Sequence, residues 1–173
     1  MAHLAIRKIR AADRDYLSHT VSRHFGSTRV ISRGKQHDCL ELPGYVVALE
    51  GEQPEMTGNL PPYEPVGLVL YHIQGRELEV VVLASDRAGQ GVGRALLAEV
   101  IRFCEQQALR RCWLITTNNN KAAIAFYQKL GWEMVALHRG AVNESRRTIP
   151  GIPLYDSAGV PIEDELEFQV LMF

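Results

Sequence analysis

The sequence predicts an α/β fold: a mixed, mostly antiparallel central sheet of about six to seven strands flanked by helices. Three observations carry this. The valine-rich run Glu79-Val80-Val81-Val82-Leu83-Ala84 is short, as expected of a strand buried on both faces. After the turn Gly89-Gln90-Gly91-Val92-Gly93 the apolar period becomes helical, with Val92, Leu96, Leu97, Val100 and the Phe103-Cys104 pair on one stripe. Near the C-terminus Leu166, Phe168, Val170 and Met172 alternate, which places them on one face of a strand.

Residues 4–9 alternate like a strand, and Ala11-Ala12-Asp13 reads as a helix start capped by Asp13. Residues 13–25 carry Tyr16, Leu17, Val21 and Phe25 at helical spacing. Residues 26–43 hold Arg29, Arg33, Lys35 and His37 without a clear period, and read as a loop with room for one short helix. Tyr45-Val46-Val47-Ala48-Leu49 is a compact strand. Residues 51–65 are rich in Gly, Pro and Glu and form a long exposed connection, of a length that usually serves a function. Residues 66–73 and 77–84 pair as an antiparallel hairpin about Gln74-Gly75. After the first amphipathic helix, residues 112–116 form a further strand. Asn118-Asn119-Asn120 opens a second helix that runs to Leu130 and closes at Gly131. Residues 132–137 restart a strand and residues 143–159 are irregular. Residues 162–172 close the chain as a strand that suits pairing across a dimer as well as within one chain. There are no internal repeats and no composition shift, so residues 1–173 read as one domain.

Bulk properties narrow the function classes. A chain of 173 residues, 46% of them hydrophobic, can bury one sizeable core. A net charge of -1, from 19 basic and 20 acidic residues, argues against nucleic acid or an anionic membrane as partner. No apolar run approaches the roughly 20 residues that span a bilayer, and residues 1–8 lack the apolar stretch of a signal peptide. Cys39, Cys104 and Cys112 show no metal-type spacing, and an odd count fits a reducing cytosol. The histidines, His72 and His138 among them, lack ligand spacing as well, so no metal is expected. The expected location is the cytoplasm.

A strand, a glycine-rich turn and a helix together form the general design of an anion site. Glycines let successive N–H groups converge, and the helix N-terminus adds the positive end of its dipole. The alternative is a plain turn that needs glycine for its dihedrals. A dinucleotide fingerprint would require glycine where Arg94 or Leu96 stands, and a phosphate loop ending in Gly-Lys-Ser/Thr fails at Gly93-Arg94-Ala95.

The segment Leu83-Ala84-Ser85-Asp86-Arg87-Ala88-Gly89-Gln90-Gly91-Val92-Gly93-Arg94-Ala95-Leu96-Leu97 resembles the pyrophosphate motif of the GNAT superfamily of N-acetyltransferases, Arg/Gln-x-x-Gly-x-Gly. Gly91 and Gly93 match. Ala88 departs, because Arg87 stands one place early. A second, independent segment, Asn120-Lys121-Ala122-Ala123-Ile124-Ala125-Phe126-Tyr127-Gln128-Lys129-Leu130-Gly131-Trp132, is similar to the family's Asn-x-x-Ala-x-x-Phe-Tyr-x-x-x-Gly-Phe. Thr116-Thr117-Asn118-Asn119-Asn120 and Gly159-Val160-Pro161-Ile162-Glu163-Asp164-Glu165 resemble a bacterial subgroup of largely unassigned substrate.

The resemblance implies a GNAT-type fold and acetyl transfer from acetyl-CoA to a primary amine, by direct attack in a ternary complex. It implies a pyrophosphate cradle made of the backbone N–H groups of Gly89, Gln90, Gly91, Val92, Gly93 and Arg94. It further implies that the backbone edge of Val81, Val82 and Leu83 pairs with the pantetheine arm, and that Tyr127 is the general acid for the departing thiolate. On periodicity alone Tyr127 would be a core aromatic, and Asn120 a helix cap to which a cofactor contact is added. Members of the family with a strand-borne base place a carboxylate near this point, so the resemblance makes Glu77 and Glu79, which share one strand face, the candidates, and Glu77 lies closer to the usual register. Glu79 lies deeper in the apolar run, where burial favours the neutral form, while both also suit a solvated strand face. Arg29, Arg33 and His37 fall where the family often lines the acceptor pocket. The expected acceptor is a small-molecule amine. The alternatives are a non-catalytic acyl-CoA-binding module and a peptide or protein N-terminal acetyltransferase, the latter disfavoured if residues 51–65 roof a closed pocket.

Overall fold

The computed structural model describes residues 3–50 and 64–173. Residues 51–63 of the expected connection over 51–65, and with them the roof it would form, lie outside the described residues. The chain opens with β1 (His3–Lys8), a 3-10 turn at Ala11–Asp13 and α1 (Arg14–Phe25). Next come β2 (Arg29–Ser32), β3 (Lys35–Asp38), a 3-10 turn at Cys39–Glu41 and β4 (Gly44–Glu50). The hairpin of β5 (Pro65–Gln74) and β6 (Glu77–Ser85) leads into α2 (Val92–Gln106) and β7 (Arg111–Thr117). The chain ends with α3 (Lys121–Lys129), β8 (Glu133–His138), α4 (Ala141–Thr148) and β9 (Glu165–Leu171). Seven strands form one sheet in the order β1-β4-β5-β6-β7-β9-β8. Its neighbours are antiparallel except β6 and β7, which is the mixed sheet expected.

Each face of the sheet has its own apolar layer. On one, α2 buries Val92, Leu96, Leu97, Val100 and Cys104 against Val47, Val69, Leu78, Val80, Leu114 and Phe168. The helical stripe read from the sequence is thus the buried face of α2. On the other, Leu17 and Val21 of α1 meet Val46, Leu68, Leu70, Val82 and Ala84. Phe25, the last member of the expected α1 stripe, is 46% exposed, because the helix ends there at Gly26. All three cysteines are free and buried.

Two expectations are corrected. Residues 26–43 are not a loop with one helix. They form the antiparallel hairpin of β2 and β3, with Val30 opposite His37 and the turn at Arg33 and Gly34, followed by the short 3-10 turn. Residues 143–159 are not irregular throughout, since α4 begins before them and runs to Thr148. Of the two pairings left open for the C-terminal strand, the structure shows the one within the chain, with β9 between β7 and β8.

Asp13 does not cap α1 through its side chain, for a specific reason. Its backbone is already helical (φ -85°, ψ -5°), and its carboxylate turns to the strand instead. Both guanidinium nitrogens of Arg7 donate to it at 2.7 Å, and Arg10 N–H donates at 2.7 Å. Asp13 is buried, and the hydrogen bonds from Arg7 hold its carboxyl below the usual carboxylate range. A depressed folded pKa stabilises the fold above the unfolded value near about pH 4 and ceases to do so as pH falls through the folded value. Asp13→Asn is therefore expected to cost about 1–3 kcal/mol at neutral pH. The gap from wild type should close in strong acid. Urea unfolding at both pH values checks this.

Two irregularities in β6 part it from its neighbours. Its parallel pairing with β7 runs from Glu77 opposite Arg111 to Val80 opposite Leu114 and stops there. Its pairing with β5 also shifts register, with Tyr71 opposite Val80 but Leu70 opposite Val82, so Val81 is an extra residue. Such a bulge reverses the alternation. Leu78 and Val80 consequently face α2, whereas Val82 and Ala84 face α1.

Candidate active site

The site is built outward from the point where β6 leaves β7. Beyond Val80, the side of Val81, Val82 and Leu83 that would face β7 carries no ladder partner among the described residues. Strand β7 continues instead with β9, pairing Ile115, Thr116 and Thr117 with Glu167, Leu166 and Glu165. The two strands thus part as a wedge whose β6 wall has no strand partner on that side among the described residues.

At the C-terminal end of β6 the chain turns through Gly89 (φ +75°) and Gly91 (φ +77°), both in the left-handed region where β-carbons are strained. Gly91 is the N-cap of α2, and no side chain caps the helix there. The helix ladder takes up Ala95 N–H, which donates to Gly91 C=O, so the N–H groups just before it have no intrahelical acceptor. A β-carbon added at Gly89 or Gly91 would meet nothing within 4 Å, so space lies open before these groups. At Gly93 it would come within 3.3 Å of Phe126 Cζ, so this glycine lets α2 start close against α3. Asp86 anchors the turn to α1 through the Tyr16 hydroxyl, which donates at 3.0 Å, and through an ion pair with Arg23. Neither anchor was visible as a pattern in the sequence.

In α3, Asn120 caps the helix by accepting from Ala123 N–H at 3.1 Å. Tyr127 is buried among Phe126, Trp132 and Phe168, with ring centroids 5.4, 6.0 and 5.6 Å away. Burial pushes its phenol up to about 12, so it stays protonated at neutral pH.

The α1 face of the sheet changes character beside this wedge. Glu77 and Glu79 project to this side, as the strand period requires, but their surroundings differ. Glu77 has a half-exposed side chain paired with Arg111 at 3.1 Å. Glu79 is 4% exposed, its Oε1 has no hydrogen-bond partner among the described residues, and its Oε2 lies 3.5 Å from His37 Nε2. A cleft of about 470 Å³ reaches Glu79 between Trp113, His72, Glu77, Arg76 and Arg110. Glu79 therefore stands between this cleft and the wedge, two residues before Val81.

Next to it, β9 contributes two further buried carboxylates. Glu167 binds Arg111 at 2.5 Å, Arg33 at 3.1 Å and His138 at 3.1 Å. Burial pushes Glu167 up, but the hydrogen bonds from Arg111 and His138 outweigh it and hold the carboxyl below the usual range. Among the described residues Glu165 accepts only the backbone N–H of Arg33, at 3.2 Å, and burial pushes it up. The guanidinium groups of Arg33 and Arg111 lie 5.6 and 5.5 Å from the centroid of the Trp113 ring. Arg33 is thus the ionic clasp that holds the β2–β3 hairpin over this face. Sequence reasoning passed over Trp113, Arg111, Glu165 and Glu167. Their one signal was the pair of carboxylates alternating with Leu166 and Phe168, which reads equally as a solvated strand face.

Among the described residues no group of three or more His, Cys, Asp and Glu side chains could hold a metal ion. No helix among them is long and apolar enough to cross a membrane. A model described as the acetyltransferase (GNAT) family matches residues 15–132. The chain is 33% identical over 153 residues to the uncharacterized protein YxbD of Bacillus subtilis (strain 168), covering 88% of this chain and 89% of that one. Arabidopsis thaliana NAA60, solved in complex with a bisubstrate analogue, has a similar fold, with a TM-score of 0.71 at 14% identity over 98% of each chain. So has a GNAT family acetyltransferase from Elizabethkingia anophelis with acetyl-CoA bound, with a TM-score of 0.65 at 14% identity over 98% of each chain.

Proposed function

The chain belongs to the acetyltransferase (GNAT) family, an acetyl-CoA-dependent transferase acting on an amine, and we propose that its acceptor is a primary amine of a small molecule. Residues 1–173 work as one N-acetyltransferase domain, and the amine attacks the thioester directly in a ternary complex. The observation that carries this reading is the position of Glu79, with an open cleft on one side and the parting of β6 from β7 on the other.

The donor side uses mostly main chain. The N–H groups of Gly89, Gln90, Gly91, Val92, Gly93 and Arg94 receive the pyrophosphate at the positive end of α2. Ala88 offers no polar side chain, so the cradle depends on these amides. The free edge of Val81, Val82 and Leu83 pairs with the amides of the pantetheine arm, as a sheet edge pairs with an added strand. One N–H of that edge polarises the thioester carbonyl as its oxygen gains charge. Asn120 adds a contact while capping α3.

On the acceptor side, an ammonium entering the cleft loses a proton to Glu79, and the resulting amine attacks the carbonyl carbon. Glu77 is the weaker candidate for the base, because Arg111 already holds it in an exposed ion pair. The tetrahedral intermediate collapses, the C–S bond breaks as Tyr127 gives its proton to the departing thiolate, and the extra proton left on the attacking nitrogen passes through solvent to the Tyr127 phenolate. A cleft of about 470 Å³ lies within the range of small-molecule pockets, which supports a small acceptor over a polypeptide.

Tyr127→Phe tests whether the chain is a catalyst or only a cofactor-binding module. Turnover is expected to fall about a hundredfold or more with the acetyl-CoA Kd unchanged. Unaltered turnover in the variant would count against Tyr127 as the acid.

A further inference from the structure

We propose that His37 is a positioning residue for the base: its Nε2–H points at Glu79 Oε2 and fixes the orientation in which the carboxylate meets the acceptor ammonium. The proposal rests on the reading of Glu79 as the base. The sequence context of His37 reads as a basic loop, and the structure moves it to the interior. It comes from β3, whose hairpin lies across the polar face of the sheet. The hairpin is clasped there by Arg33, through Glu165 and Glu167.

His37 and Glu79 are each 4% exposed, and their facing atoms are 3.5 Å apart. That is longer than a formed hydrogen bond, and His37 Nε2 has no other partner among the described residues. Buried polar groups are almost always paired, so an unpaired His37 Nε2 facing a carboxylate oxygen across a gap indicates an interaction not drawn tight in this state. Catalytic hydrogen bonds commonly close only when substrate binds. The opposite oxygen of the same carboxylate, Oε1, is also buried without a partner among the described residues. Oε1 is sealed from solvent, so His37, facing Oε2, is a donor placed to orient the carboxylate as a whole.

The surrounding charges suit this placement. The His72 ring lies 5.3 Å from that of His37, and Lys35 Nζ lies 2.7 Å from His72 Nε2. Glu165, on β9, interacts electrostatically with Glu79, and burial pushes Glu165 toward its neutral form. The donor that serves Glu79 is therefore the imidazole of His37, since Arg33 and Arg111 are engaged by Glu165, Glu167 and Glu77. In the step itself the ammonium gives one proton to the Glu79 carboxylate, leaving a neutral amine and a protonated Glu79. The proton passes to solvent after the product leaves.

In His37→Ala, kcat/KM at neutral pH is expected to fall about tenfold to a hundredfold. His37→Gln carries an N–H donor to nearly the same place and should return kcat/KM most of the way to wild type. The acetyl-CoA Kd should be unchanged in both. Wild-type kcat/KM in His37→Ala overturns the proposal. Glu79→Gln separates the two layers. If it retains full turnover, the base itself is misassigned; if it loses turnover while His37→Ala keeps wild-type kcat/KM, the base stands and only the role of His37 is removed. Should His37→Ala fail to fold, the 15N spectrum of the wild-type protein decides. A protonated His37 Nε2 whose resonance moves in Glu79→Gln supports the pairing, and an unprotonated Nε2 at neutral pH rules it out.

Discussion

Replacing Gly91 with valine should weaken acetyl-CoA binding by at least about a hundredfold and leave the protein folded. Gly91 sits at φ +77° as the N-cap of α2, a conformation that a β-branched residue adopts only under strain. Relieving that strain costs about 1–3 kcal/mol and rotates the N–H groups that converge on the pyrophosphate. Each 1.4 kcal/mol of lost binding is roughly tenfold in Kd. The two methyl groups would also project into the open space before the helix, where an added β-carbon meets no protein atom within 4 Å. That same openness is why folding should survive: the branch collides with ligand and not with the core. Calorimetry beside a thermal melt reads both quantities. Wild-type affinity in a folded variant would mean that the pyrophosphate lies elsewhere.

Glu79→Gln should lower kcat/KM about a hundredfold to ten-thousandfold with no change in the acetyl-CoA Kd. The substitution keeps size and shape while removing the buried carboxylate that lines the cleft. Because Oε1 accepts no hydrogen bond among the described residues, the amide loses no partner there and the fold should tolerate it. The rising limb of the pH profile should vanish together with the activity. Steady-state rates across pH check this, and an unchanged profile would move the base away from Glu79. Glu77→Gln is the matched control: it removes an exposed ion pair, and its effect on rate should be small.

Legibility followed burial of apolar surface. The α2 stripe was readable because Val92, Leu96, Leu97, Val100 and Cys104 all enter one dry layer. Strand β6 was readable because its valines are buried on both faces, and α3 because Asn120 and Gly131 mark its ends. The β2–β3 hairpin was hidden by the partner it covers. It packs on a polar face, so Arg29, Lys35 and Asp38 show no apolar alternation, and its turn places Arg33 at φ +47° ahead of Gly34. Helix α4 buries only Val142 and Ser145, too short a stripe to set a period. Within the site, the glycine turn and the Asn120–Tyr127 stretch are local motifs and were legible as such. The approach of His37 to Glu79, and the clasp of Arg33 on Glu165 and Glu167, are products of tertiary packing that no local pattern encodes. The bulge at Val81 is a further example, since nothing in a run of valines marks which one is extra.

The most direct test loads the purified protein with acetyl-CoA and measures release of free CoA thiol against a broad panel. The panel should include small primary amines of differing charge and peptides with free N-termini. The expected result is thiol release with one group of small amines, lost in Glu79→Gln and in Tyr127→Phe. Release with no amine at all, or with the peptides alone, would contradict a small-molecule acceptor at the Glu79 cleft.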